Sequence, residues 1–160
     1  MNAAQIHLAL NHFPLILVIV GTLVLAYSLW KRQTQFRTLA FMLFVAAAVT
    51  ALPTYFTGEG TEEVVERMPG VTESVIDAHE DAASLTIAFV EALGAASIVG
   101  FVVMRKRDAL VKPVAATLLI VGIAAMSSIA WTAHLGGQIR HTELRGSTAT
   151  VAPAVNAETD

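Results

Sequence analysis

The chain has 160 residues, 55% of them hydrophobic and 14% charged, and its mean hydropathy of +0.63 is too apolar for an ordinary soluble domain. A formal net charge of -3, with the basic residues in short clusters beside apolar runs, argues against a nucleic-acid partner. The absence of cysteine excludes disulfides, thiolate metal sites, iron-sulfur clusters and c-type haem attachment.

A short segment holding His7 and His12 leads into the first of four runs that approach the ~20 apolar residues needed to cross ~30 Å of hydrocarbon. The first span covers about residues 13–30. Pro14 suits the first turn of a helix, which leaves Asn11 as a cap and His12 at the membrane surface. No basic segment precedes this run, so it reads as a retained span and not a signal peptide. Lys31, Arg32 and Arg37 connect it to the second span, about 39–56.

The connection over residues 57–78 is acidic, with Glu59, Glu62, Glu63, Glu66, Glu73 and Asp77. Thr61 is placed to cap a short helix that Pro69 and Gly70 would end, and Thr72 to cap a second helix that runs from Glu73 into the third span. That third span, about 82–104, carries Glu91 midway. A carboxylate at such depth costs a few kcal/mol or more and is by default a functional hypothesis. Glu91 lies ~20° from the face of Glu80 and ~16 Å deeper on a helix. It reads either as part of a proton route or as a neutral carboxyl hydrogen-bonded to Thr50, Ser127 or Ser128. Gly94, Gly100 and Gly122 suit close helix packing.

Arg105, Lys106, Arg107 and Lys112 lead into the fourth span, about 113–133. The two basic connections together hold seven of the ten Lys and Arg residues, and the positive-inside rule places both in the cytoplasm and both chain termini outside. Trp30, Tyr55 and Trp131 fall at span ends, where an aromatic belt sits. After the fourth span, Gly136 and Gly137 offer a bend that would fold His141 and Glu143 back over the bundle end. His134 reads as an interfacial residue and Arg140 as a partner for the acidic residues. Residues 1–145 form one membrane domain, and 146–160, small and polar, read as a disordered external tail.

The fold expected is therefore all-α: an integral membrane antiparallel four-helix bundle, both termini outward, with a short external helix between spans two and three. All five histidines, His7, His12, His79, His134 and His141, then fall at one rim, with none near the basic connections. A single histidine at a membrane interface is ordinarily solvated, and an outer loop is free to be acidic. Convergence is what argues for more: four chain segments bring imidazoles and carboxylates, including Glu80, Asp81 and Glu143, to one edge. Such a set suits a borderline divalent metal such as iron, zinc, copper or manganese. His7 and His12, about 140° apart on a continuous helix, would need a bend between them to converge.

The stretches NHFPLIL, TGEGTEEVVE, HEDAA and GGQIRHTEL, over about residues 5–145, resemble a family of small bacterial four-span membrane proteins catalogued as a domain of unknown function. The resemblance implies a shared outer-rim site built from His7, His12, Glu59, Glu63, His79, Glu80, His141 and Glu143, with the paired glycines and Arg140. It carries no activity with it.

The reading that follows is a bacterial inner-membrane protein with a mono- or dinuclear non-haem metal centre at its periplasmic rim and a redox or metal-handling role. Whether it is an enzyme stays open. A first alternative is a small b-type cytochrome, with haem between His12 and His79 and Arg140 near a propionate. The lack of any histidine on the inner half, and the many glutamates, weigh against it. A second is an accessory subunit of a respiratory complex without a cofactor. Four spans without an evident inverted repeat disfavour a transporter.

Overall fold

The computed structural model describes residues 2–106, 108–141 and 144–145, without the side chains of residues 63 and 108–110. Every secondary-structure element among the described residues is helical: α1 (Ala3–Leu10), α2 (His12–Lys31), α3 (Thr34–Glu59), α4 (Glu62–Glu66), α5 (Glu73–Lys106) and α6 (Asp108–Arg140). Four stretches are long and apolar enough to cross a membrane: Ala3–Lys31, Thr34–Glu59, Glu73–Lys106 and Val111–Arg140.

The pattern along α2 shows what kind of helix this is. Val18, Thr22, Leu25 and Ser28 are buried, and Phe13, Ile16, Val20, Leu23, Tyr27 and Trp30, also three or four apart, are exposed. Both stripes have helical period, and the outer one is wholly apolar. Such a helix has no water-facing side, and lipid is the solvent its outer face suits. Exposed Leu39, Met42, Val49 and Leu52 on α3, and Ile98, Val99 and Val102 on α5, repeat the feature.

The long helices close a ring: α2 packs on α3 and α6, α3 on α5, and α5 on α6. Lipid removes most of the hydrophobic drive between helices, so close approach over small residues has to supply the attraction. Gly94 meets α3 so tightly that a β-carbon there would lie 2.5 Å from Ala48 Cβ. One at Gly100 would lie 2.6 Å from the Phe41 ring, and one at Gly122 would lie 2.8 Å from Thr22 Oγ1. Ala48 faces Gly94 and Phe41 faces Gly100, so α3 and α5 run in opposite directions. Phe41, Phe44, Leu25, Leu93 and Leu118 fill the centre. Buried hydroxyls turn back on their own helices, Thr22 donating to the Val18 carbonyl and Ser97 to that of Leu93, both at 2.7 Å. That satisfies them without water.

The structure departs from expectation at several local points. A helix precedes the first span: α1 starts in a capping box in which the Gln5 amide donates to Asn2 Oδ1 at 2.9 Å and the Asn2 amide donates to Gln5 Oε1 at 3.2 Å. Asn11 does not cap α2; its backbone is already helical and its side chain makes no cap bond. Thr61 stands at the start of α4 but donates its hydroxyl to the Thr57 carbonyl, 2.8 Å away, so the preceding helix takes it first. Gly136 and Gly137 make no bend, because α6 continues through them to Arg140. Gly70, at φ 78, makes the turn before α5, a conformation that favours glycine. Arg145 donates from Nη1 to the Gly70 carbonyl and from Nε to that of Gln138 at 2.8 Å, which ties the connection between α3 and α5 to the end of α6. The tail over 146–160 lies outside the described residues.

Candidate functional site

The end of α1, the start of α2, the ends of α3 and α6 and the start of α5 surround a cavity of about 940 Å³. Its floor is apolar, with Leu15, Ala51, Ile87, Val90 and Ile129; its mouth carries His7, His12, Glu59, Glu62, His79, Glu80, Asp81 and Arg140. Six of the residues singled out from sequence, His7, His12, Glu59, His79, Glu80 and Arg140, thus share one cavity. Glu80 lies within electrostatic reach of Glu59, Glu62, Asp77 and Asp81, and His79 within reach of His7.

Two of the imidazoles are held alike. His7 Nδ1 lies 2.9 Å from the Thr54 carbonyl oxygen, and His79 Nδ1 lies 3.0 Å from that of Thr132. A carbonyl only accepts, so each Nδ1 carries the ring proton and donates. In the neutral ring, Nε2 then keeps its lone pair. The glycines explain the access. A helical side chain leans toward the N-terminus, over the carbonyl one turn earlier. Gly58 and Gly136 stand four residues after Thr54 and Thr132 and leave those carbonyls within reach of the rings, that of Thr54 also accepting from the Thr57 hydroxyl at 3.1 Å. A β-carbon at Gly58 would lie 3.3 Å from His7 Cε1, and one at Gly136 would lie 3.0 Å from His79 Cε1. The sequence signal, a Thr-x-x-x-Gly repeated at 54–58 and 132–136, is visible only once each threonine has a histidine opposite.

Hydroxyls complete the wall. Tyr55 and Ser84 pair at 3.0 Å, and Thr86 reaches Ser128 at 2.6 Å and Thr132 at 2.8 Å. Asn11 Oδ1 is buried with no partner in a residue that lines the cavity. Arg140 donates from Nη1 to Met68 Sδ at 3.7 Å.

Other predicted residues fall elsewhere. His134 is exposed, bonds Gln138 at 2.9 Å and stacks on Trp131, as an interfacial residue does. His141 is exposed beyond the end of α6 and is not part of the cavity wall. The Glu63 side chain and the whole of Glu143 lie outside the described residues. Glu91 is not in the cavity wall, and its Oε1 is buried without a partner. Thr50 donates to Ala46, Ser127 to Ile123, and Ser128 pairs with Thr86, so none of its three expected partners reaches it. Among the described residues no three His, Asp or Glu side chains are grouped closely enough to hold one ion.

Comparison of the chain with family models, with curated proteins and with solved structures gives no match.

Proposed function

We propose that the chain is a multi-pass protein of the bacterial inner membrane, its histidine cavity and both termini periplasmic, that holds a non-haem transition-metal ion for a redox or metal-handling role. The observation that carries this is the pair of Nδ1–H bonds from His7 to Thr54 and from His79 to Thr132. A backbone carbonyl on one ring nitrogen is the usual way a metal-binding histidine is oriented and made more basic at the other. His7 and His79 would ligate through Nε2. Glu59 and Glu80 would supply carboxylate oxygen and offset the ion's charge. His12, Glu63, His141 and Glu143 are the further candidates that the family resemblance adds, enough for a second ion. With imidazole and carboxylate donors and no thiolate, the set suits iron, zinc, copper or manganese.

The cavity also lends weight to one other reading, because His12 and His79 both line it above an apolar floor, which haem would need. Elemental analysis and an absorption spectrum of the purified protein separate the two. A bound transition metal with no intense Soret band supports the non-haem site, and a Soret band supports the cytochrome. Metal-free protein after growth in metal-replete medium, with partner association lost on His79→Ala, would leave the cofactor-free accessory subunit.

A further inference from the structure

A second cavity, of about 560 Å³, lies at the opposite end of the bundle. Its polar wall is Arg32, Thr34, Arg37 and Lys112, and Leu29 and Met104 supply part of the apolar remainder. No carboxylate lines it among the described residues. Arg37 is the decisive side chain: it is 8% exposed, and its Nε is buried with no hydrogen-bond partner. That nitrogen has lost water without gaining an acceptor, an arrangement that is costly unless an acceptor group completes it.

One further feature favours negative charge at the same place, and two others fix the backbone there. The 26-residue helix α3 begins at Thr34, and no side chain caps it, so its first amides are donors at the positive end of the helix dipole. Arg32 stands at φ 56, where no other non-glycine residue among those described has a positive φ. A bulky residue in that conformation is uncommon and marks turns and functional sites. The corner is also rigid: the Ser28 hydroxyl donates to the Gln33 carbonyl at 2.9 Å and the Gln33 amide to the Ser28 carbonyl at 3.1 Å.

We propose that this cavity is a binding site for a phosphate oxyanion. Arg37 and Arg32 donate from their planar forks, Lys112 adds a point charge, and the Thr34 hydroxyl and the first amides of α3 close the set. Its apolar half and its place at the end of the spans make the headgroup of an anionic phospholipid the favoured source. Free phosphate has the same chemistry.

The test is thermal unfolding of the full chain, purified in a phosphate-free maltoside detergent and followed by tryptophan fluorescence. Phosphatidylglycerol, or inorganic phosphate, is added to the wild type and to Arg37→Gln and Lys112→Gln. Lys112 is exposed, so its variant keeps the test open if Arg37→Gln does not fold. Phosphatidylglycerol is expected to raise the wild-type Tm by several degrees and to lose at least half of that effect in either variant. A rise with phospholipid alone identifies the lipid headgroup, and an equal rise with inorganic phosphate identifies the free anion. No rise with either compound, or the same rise in wild type and both variants, overturns the site.

Discussion

Gly136 is a residue whose smallness has a chemical purpose. In the sequence it reads as part of a bend after the fourth span, yet α6 runs through it, although glycine costs about 1 kcal/mol relative to alanine inside a helix. What it provides is room for the His79 ring, 3.0 Å from where a β-carbon would stand. We expect Gly136→Ala to displace that ring from the Thr132 carbonyl and weaken Zn²⁺ binding by about 10–100-fold, the usual effect of losing a partner that orients a ligand. Folding should change little, because alanine favours the helix; an unchanged zinc isotherm would contradict this role. Glu91 is the opposite case, a polar group without a visible use. Its Oε1 is buried and unpartnered, so Glu91→Leu should stabilise the protein by about 1–3 kcal/mol and leave zinc binding untouched. A lower Tm would show that the carboxyl has a partner that matters.

At the scale of helices, the contact between α3 and α5 is set by Ala48 against Gly94 and Phe41 against Gly100. Gly94→Val forces branched atoms into a space where even a β-carbon would stand 2.5 Å from Ala48 Cβ. Overpacking of this kind costs about 1–3 kcal/mol, seen as a lower Tm in detergent; a wild-type Tm would mean that the helices are not held there. The spans themselves were legible from apolar runs alone, because a helix wetted by lipid is apolar on every side. Their ends were legible only in part. The start of α5 at Glu73 follows from the unbroken helical run into the third span, whereas hydropathy stops at the lipid boundary and α6 continues through Gly136 and Gly137 to Arg140. The helix α1 was not legible because His7, Asn11, His12 and Pro14 interrupt the apolar run ahead of the first span, although Ala3–Leu10 is itself largely apolar.

Over the whole molecule, basic connections at one end and histidines with carboxylates at the other give the protein two chemically distinct poles. The collection of His7, His12, Glu59, His79, Glu80 and Arg140 around one cavity followed from chain direction alone: four alternating spans bring those segments to one rim. Which nitrogen each ring presents did not follow, since the carbonyls of Thr54 and Thr132 belong to distant helices and no residue type encodes them. The proposed orientation makes a topological prediction. Alkaline phosphatase fused at the C-terminus should be active, and the same enzyme fused after Arg32 should be inactive; the reverse pattern would place the histidine cavity in the cytoplasm.

The central claim is that His7 and His79 serve one ion through the nitrogens their backbone partners leave free. Calorimetric titration of metal-stripped protein with Zn²⁺ tests it most directly, in wild type, His7→Ala and His79→Ala. A saturable site in the wild type that either substitution weakens by at least tenfold is the predicted result. Identical isotherms in all three proteins, or no saturable binding in any, would contradict it.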